Sequence, residues 1–239
     1  MKHLLHLILL SLVVLNLYSC RKKNELPVYA DFVEAAQQNP VQLPTERPPF
    51  TACVNDQTHN VEPLFDYRIA GMVVSCGFSE NLAIHRKDDL NIMDAGIIWG
   101  DNLDPDIYQR IKFHNNGVWL HANAKDKGVW DQLNPQQLSN NHLLCTDPRL
   151  KKRIKAIKRG DVVLISGSLV SYSGRGSSTS RDDDGDGACE TIWVDEFELL
   201  QDGTKPWHRL HAVSLYGIFA WIGIGIIRFF CSPTPGYEE

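Results

Sequence analysis

The sequence lacks any C-x-x-C pair, although six cysteines are spread over its 239 residues. This absence excludes the close thiolate spacing of common structural zinc motifs. Two of the cysteines lie in or beside the hydrophobic end segments. The other four could form two disulfides in an oxidising compartment, with three connectivities open, whereas in the cytosol they would be ordinary small apolar side chains. The six are Cys20, Cys53, Cys76, Cys145, Cys189 and Cys231.

The chain also lacks an internal repeat, and its 43% hydrophobic and 22% charged residues are ordinary for a globular protein. Its net charge of -5 is unevenly distributed. Arg149–Arg159 holds seven Lys or Arg and no acid, while the rest of the chain holds 17 basic and 29 acidic residues. Such an element could bind nucleic acid or anionic lipid. No aromatic residues are interleaved with it, which argues against nucleic acid and favours a solvated helix face.

An uncharged apolar run at residues 4–19 follows Lys2 and has the length and basic start of a secretory signal peptide. It is too short for a comfortable membrane span. The run ends in LYSC, which resembles a bacterial lipobox and predicts lipidation of Cys20. The basic residues at 21–23 argue against export of the chain that follows them, because positive charge tends to remain cytoplasmic. The alternative is an uncleaved anchor with the domain inside the cell.

A second apolar segment, residues 211–231, has the length of a membrane-spanning helix, since about 20 residues at 1.5 Å each cross ~30 Å of hydrocarbon. Ala212–Ile227 contains no charge, and Arg228 could snorkel to the interface. No polar stripe runs along the segment, so the sequence predicts a transmembrane helix rather than a buried core helix. The flanking charges do not decide its orientation.

The middle of the chain is predicted to be mainly β. Six of the twelve prolines fall in residues 21–63, which predicts an extended spacer, and short apolar runs with turn signals follow. A hairpin is predicted around Asn115–Gly117, and one amphipathic helix begins after Asp147 and ends at Gly160. A small OB-like barrel matches this order, with a β-sandwich as the alternative. Strands are predicted at 67–75, 162–172 and 191–200. The predicted division is a signal peptide at 1–19, a spacer at 20–62, a β-rich domain at 63–202, a linker at 203–210, a transmembrane helix at 211–231 and a tail at 232–239.

Alternating aspartates form the most distinctive local pattern. Asp182, Asp184 and Asp186 precede Gly187, as at the start of an EF-hand calcium loop, where alternate carboxylates converge on the ion. The twelfth position, which needs a glutamate, is Trp193. The sequence therefore predicts no cofactor, since a solvated acidic hairpin loop is the simpler interpretation. The alternative is a calcium site that Glu190 or Asp195 completes.

Several strings carry a resemblance to a known family. They are Asp66-Tyr67, Trp99-Gly100, Asn141-His142-Leu143, Gly160-Asp161-x-Val163 with Gly167-x-Leu169-Val170, and Ser180-Arg181-x-Asp183-x-Gly185-x-Gly187-Ala188-Cys189-Glu190. From about Pro63 to Leu200 the chain resembles an uncharacterised family of bacterial membrane-associated or secreted proteins. The resemblance implies a domain extent but no activity. It favours Arg181, Asp183, Cys189 and Glu190 as functional residues over the alternating aspartates.

His142 is the remaining candidate. Its spacing from Cys145 can chelate zinc or iron, with His114 and His121 as candidates for the other two ligands. His142, Cys189 and an acid could instead form a nucleophile and its base, although no local motif supports this pairing. A hydrogen-bonded histidine and a buried cysteine are the simpler interpretation.

Two functional hypotheses follow. The favoured one is a non-catalytic, membrane-tethered module of the bacterial cell envelope that binds another envelope protein, with its domain in the periplasm. The alternative is a metal-dependent or other enzyme that uses His142 together with Arg181, Asp183 and Glu190. Nothing in the sequence identifies a small-molecule substrate.

Overall fold

A computed structural model describes residues 2–77, 90–116, 119–181 and 189–231. The chain divides into two compact units: residues 26–203, and a smaller unit made of the two ends, up to Glu25 and from Thr204. The first is mainly β, and an apolar helix lies at the C-terminal end of the second. The helices are α1 (Lys2–Lys22), α2 (Pro105–Tyr108), α3 (Lys127–Trp130), α4 (Pro148–Lys155) and α5 (Lys205–Cys231); the strands are β1 (Val41–Pro44), β2 (Phe50–Val54), β3 (Gln57–Gly77), β4 (Asn91–Ile98), β5 (Ile111–Asn115), β6 (Leu120–Ala124), β7 (Leu138–Leu144), β8 (Val162–Tyr172) and β9 (Cys189–Gln201).

The β unit begins at Leu26, well before the predicted domain start. Leu26 is buried, and its carbonyl oxygen accepts a hydrogen bond from Gln109 Nε2 at 2.7 Å. Tyr29 Oη donates to the Gly160 carbonyl oxygen at 2.7 Å. β1 and β2 then pair with β3. The prolines suit this edge, because an edge strand tolerates a residue without a backbone N–H. Much of the predicted spacer is therefore packed structure.

The strand pairing returns to its starting strand. β3 pairs with β4, β4 with β7, β7 with β9 in parallel, β9 with β8, and β8 again with β3. All these pairings except β7–β9 are antiparallel. α4 connects β7 to β8. The parallel pair matters for function because it aligns the middle of β7 with the first residues of β9.

Two hydrophobic cores lie on the two sides of β4. Residues such as Met93, Ala95 and Ile97 belong to the main core, which also receives Leu143 from β7. Ile98 instead joins a second core, which the segment from Leu103 to Leu133 covers. Every residue of β4 is consequently buried. A strand covered on both faces shows no alternation of polar and apolar residues, and so the sequence reading did not find β4.

The predicted N-cap of α4 and the predicted bend in β8 are confirmed, whereas α4 ends at Lys155 rather than at the predicted Gly160. The Asp147 carboxylate accepts from the backbone N–H groups of Arg149 (2.7 Å) and Leu150 (3.3 Å) at the start of α4. At the predicted bend in β8, a Cβ on Gly167 would overlap the Trp193 carbonyl oxygen of β9. The register of β8 against β9 shifts at this point. Glycine is needed there for the close approach of two backbones.

The smaller unit is an antiparallel pair formed by α1 and α5. Tyr18 packs edge-on against Trp207, with ring centroids 5.6 Å apart, and His6 lies 6.4 Å from Trp221 by the same measure. The later contact residue in α1 meets the earlier one in α5, and this order shows that the two helices are antiparallel. Within α5, Lys205–Arg228 is long and apolar enough to cross a membrane.

Candidate functional site

Neighbouring strands bring part of the candidate set together. Asp94 on β4 lies directly opposite His142 on β7, and Asn140 on β7 lies opposite Cys189 on β9. Because side chains alternate along a strand, residues 140 and 142 share one face of the sheet, and Asn141 points to the other. The first face therefore presents an acid, an imidazole, an amide and a thiol to one another.

The Asp94–His142 contact is short and mostly buried. Asp94 is 1% exposed, and its Oδ1 accepts a hydrogen bond from His142 Nδ1 at 2.6 Å. Asn91 Nδ2 donates to the same oxygen at 2.9 Å. Burial alone would lower the pKa of His142, but hydrogen bonds with Asp94 and Cys189 outweigh that effect and raise the pKa to about 10. The ring is therefore an imidazolium at neutral pH.

Cys189 lies on the other side of this imidazole. Its thiol is partly exposed, and Asn140 Nδ2 donates to Sγ at 3.8 Å. The Asn140 amide oxygen in turn accepts from Asn115 Nδ2 of the β5–β6 hairpin at 2.8 Å, which fixes the orientation of the amide. Since Asp94 occupies Nδ1 of His142, Nε2 is the ring nitrogen that remains for proton exchange with a thiol. A carboxylate, an imidazole and a thiol in this order can orient, protonate and activate a nucleophile.

Arg181 and Glu190 belong to a different cluster. Arg181 Nη1 donates to Glu190 Oε1 at 3.0 Å and to Tyr67 Oη at 3.1 Å. The guanidinium carbon lies 5.1 Å from the centre of the Tyr67 ring. Tyr67 is part of the main core, and Glu190 is buried. Glu190 follows Cys189 in the strand, so the two side chains point to opposite faces. The structure thus separates Arg181 and Glu190 from His142, and the alternative hypothesis had grouped them.

A small polar cavity of about 170 Å³ adjoins the Arg181–Glu190 pair. Trp99 is fixed on its wall, because its Nε1 donates to Asn39 Oδ1 at 3.1 Å. The cavity lies beside the ion pair rather than beside Cys189. Its lining includes Asn39, Trp99, Gln137, Ser139, Arg181 and Glu190.

The predicted metal ligands are not grouped in the part of the chain that the structure describes. No three His, Cys, Asp or Glu side chains lie there in an arrangement that could hold a metal ion. Cys145 is buried in the main core, with Sγ 3.6 Å from the Asp147 carbonyl oxygen. His114 and His121 stack across the β5–β6 hairpin with ring centroids 6.4 Å apart. Asp183 and the aspartates of the predicted calcium loop (Asp182, Asp184 and Asp186) lie outside the described residues.

The six cysteines are free thiols, and their environments differ. Burial raises the pKa of Cys76 to about 12 and that of Cys145 to about 11. Both thiols are therefore poor nucleophiles at neutral pH. Cys53 is exposed, and its Sγ lies 3.5 Å from Thr58 Oγ1. In the β unit, only Cys189 shares a hydrogen-bonded environment with an imidazole among the described residues.

Sequence reasoning missed Asp94 and Asn140. Asp94 lies in β4, which lacks alternation, and the string Asn140-Asn141-His142 gives no indication of which asparagine faces the histidine. The positions of both become meaningful only when the register of β4, β7 and β9 is known.

No family model matches the chain, and no curated protein is significantly similar to it. The resemblance to a bacterial membrane-associated family stays a prediction. The geometry of the site is therefore the basis for a functional proposal.

Proposed function

We propose that the β unit is a thiol-dependent acyl-transfer enzyme. Cys189 acts as the nucleophile, His142 exchanges protons, and Asp94 holds His142 in position. The 2.6 Å contact between the buried Asp94 carboxylate and His142 Nδ1 carries this proposal. A buried carboxylate that fixes one imidazole nitrogen and leaves the other facing a thiol is the arrangement that nucleophilic cysteine chemistry needs.

The imidazolium of His142 lies beside the Cys189 thiol, and the thiolate is the form of cysteine that attacks a carbonyl carbon. The sulfur attacks a carbonyl carbon and forms a C–S bond. His142 then donates its proton to the leaving group as the bond to that group breaks, and a thioester remains on Cys189. In the second step, neutral His142 takes a proton from water as the water attacks the thioester, and Cys189 leaves as the thiolate.

Accessibility supports the same proposal. The His142 side chain is 22% exposed, and Cys189 is partly exposed, so a substrate carbonyl can approach from the solvent side. Asp94 on the inner side is protected from water. Asn140 Nδ2 beside Sγ provides a neutral donor that stabilises charge on sulfur without protonating it.

Acylation of the purified full-length protein by p-nitrophenyl acetate tests the proposal. Peptide mass spectrometry is expected to find the acetyl group on Cys189 first. His142→Gln, which keeps a hydrogen-bond donor for Asp94, should slow the acetylation of Cys189 by roughly 10²-fold, because proton transfer by a positioned side chain contributes about that much. Asp94→Asn should also slow it, since the imidazolium loses its partner charge.

Cys53→Ser is the matched control, because Cys53 is an exposed thiol away from His142. This variant should acetylate Cys189 at the wild-type rate, and circular dichroism should show that each variant is folded. If Cys189 reacts no faster than Cys53, or if His142→Gln leaves the rate unchanged in a folded protein, the acyl-transfer proposal fails.

A non-catalytic binding module, which the sequence favoured, is the second candidate. The strand order supports it, because a ring of five strands with one parallel pair, and a helix before the fourth strand of the ring, is the order of an OB-type barrel. Such barrels bind ligands on the face of their second and third strands, which correspond to β4 and β7. A protein that binds a partner without acetylation of Cys189 would favour this candidate.

Both candidate functions include a membrane anchor. We propose, as the sequence predicts, that the protein is anchored in a bacterial membrane, and the apolar length of α5 supports this location. The periplasmic side and the lipidation of Cys20 are predictions of the sequence alone. The packing of α1 bears on both of them.

A further inference from the structure

Polar side chains meet in the contact between α1 and α5. Asn16 Nδ2 lies 3.2 Å from the His211 carbonyl oxygen and 3.1 Å from Ser214 Oγ. The same amide is 3.2 Å from His211 Nδ1. Ser214 is 1% exposed, and its hydroxyl also donates to the His211 carbonyl oxygen at 3.0 Å. Asn16 of α1 thus contacts one main-chain oxygen and two side chains of α5.

A small residue of α5 completes this contact. On α5, a Cβ added to Gly217 would meet the Leu12 methyl groups at 3.1 Å. Close packing on small residues, together with hydrogen bonds between helices, is how transmembrane helices associate, because lipid removes the hydrophobic drive for their pairing.

The length and position of α1 suit a membrane. The apolar run at residues 4–19 is short for a span, but the whole helix of 21 residues extends about 31 Å at 1.5 Å per residue, which would place Lys2, Arg21 and Lys22 at the two membrane interfaces. Asn16 lies six residues before the end of the helix, about 9 Å inside it by the same rise. A polar residue at that depth needs a partner within the protein, and α5 provides one.

The charges at the two ends of the pair differ. The ends that connect to the β unit carry Arg21, Lys22 and Lys23 on one chain segment and Lys205 and Arg209 on the other. The opposite ends carry Lys2 and Arg228. Lys and Arg close to membrane helices remain on the cytoplasmic side. The charges around α5 alone do not decide the orientation, but the five at the connected ends of the two helices, against two at the opposite ends, favour a cytoplasmic position for the connections to the β unit.

We infer that α1 is retained as a second membrane helix, that it docks antiparallel on α5 through Asn16, His211 and Ser214, and that this hairpin holds the β unit on the cytoplasmic side. The inference does not depend on the chemistry proposed for Cys189. It replaces the predicted signal peptide and lipidated Cys20 with an uncleaved anchor. The cytosol would also keep the cysteines reduced, in agreement with the six free thiols.

The mass of the mature protein tests whether α1 is retained. The full-length chain with a C-terminal tag is extracted from bacterial membranes and its intact mass is measured. The expected mass includes residues 1–19. A chain that begins at a lipidated Cys20, or at any residue after the apolar run, would overturn the inference.

Disulfide trapping tests the docking of the helices. In a cysteine-free background, Leu12→Cys with Gly217→Cys should form a disulfide in membranes when an oxidant is added, detected as a linked peptide pair by mass spectrometry. Val14→Cys with Gly217→Cys is the matched control, because Val14 is 57% exposed on another side of α1. The inference predicts linkage in the first variant only. Equal linkage in both, or none in either, contradicts the docking.

Thiol labelling tests the side of the membrane. A variant that keeps Cys53 as its single cysteine is treated with a membrane-impermeant maleimide in right-side-out and in inverted vesicles. A cytoplasmic β unit should be labelled in inverted vesicles only. Labelling in right-side-out vesicles would place the β unit outside the cytoplasm and refute the topology. The assay is independent of Cys189, which is absent from this variant.

Discussion

Asp94 and His142 make the stability of the β unit depend on pH. The pKa of His142 rises from 6.5 to about 10 on folding, so the folded state holds this proton more tightly. The stabilisation is complete below pH 6.5 and is lost as the pH rises toward 10. Since one pKa unit corresponds to about 1.4 kcal/mol, and the side chain is partly exposed, the expected loss is on the order of 3 kcal/mol.

Urea unfolding of the detergent-solubilised protein at pH 6.5 and pH 10, followed by tryptophan fluorescence, measures this loss. The His142→Gln variant is the control, because it lacks the titrating group but retains a donor. The difference in unfolding free energy between the two pH values should be larger in the wild type than in the variant. Equal differences would mean that the contact between Asp94 and His142 does not stabilise the protonated ring.

The thiols of the β unit should differ in reactivity. With iodoacetamide at pH 7, Cys189 is expected to be alkylated well before Cys76 and Cys145, since burial raises the pKa of those two to about 12 and about 11. Quenched time points with peptide mass spectrometry give the separate rates. Comparable rates at Cys145 and Cys189 in the folded protein would contradict the assignment of Cys189 as the activated thiol.

Single residues of the site were predictable only in part. His142, Cys189 and Glu190 could be selected from their strings, but their grouping depends on which strands are neighbours. The parallel alignment of β7 with β9 brings Cys189 beside Asn140 and leaves Glu190 on the other face with Arg181. This pairing joins residues about fifty positions apart, and no local pattern in the chain reports it.

At the scale of elements, α4 depends on its first residue. Asp147→Ala removes the carboxylate that accepts from two backbone N–H groups, and it should lower the free energy of unfolding by about 1 kcal/mol. Asp147→Asn is the matched control, because asparagine caps a helix nearly as well. Urea unfolding of the three proteins measures the difference. If both variants lose the same free energy of unfolding, the effect comes from removing the negative charge of Asp147 beside the basic helix and not from losing the cap.

Elements with strong local signals were predictable. β8 has the predicted bounds, and the Asn115-Asn116 turn region does join two paired strands. α4 begins where its cap predicted but ends at Lys155, before the predicted stop at Gly160. β1 and β2 were not predicted, because prolines in the same region indicated an extended chain. Their pairing depends on the long strand β3, which presents an edge to each of them.

At the scale of the whole molecule, the two end helices show what hydropathy alone can and cannot predict. It correctly selected α5 as an apolar helix, because a long uncharged run is sufficient for that assignment. It could not distinguish a signal peptide from a retained anchor in α1, since both begin with a basic residue and an apolar run. Our inference of a retained anchor rests on what α1 contacts, and a contact between residues 16 and 211 cannot be read from either segment alone.

The boundaries of the β unit lead to the last prediction. Residues 26–203, produced without the two end helices, should fold as a soluble domain with a cooperative thermal transition and the Cys189 reactivity of the full chain, because this unit has its own cores. Residues 63–202, the extent that the sequence predicts, should fail to fold or melt at a lower temperature.

The shorter fragment lacks buried Leu26 and Ala36, the strands β1 and β2, and the first residues of β3 that pair with β2. It also lacks Asn39, the hydrogen-bond partner of the Trp99 ring nitrogen. Circular dichroism melts of the two fragments decide between the boundaries. If both fragments melt alike, residues 26–62 are an appendage, and the spacer that the proline pattern predicts is the better description of that segment.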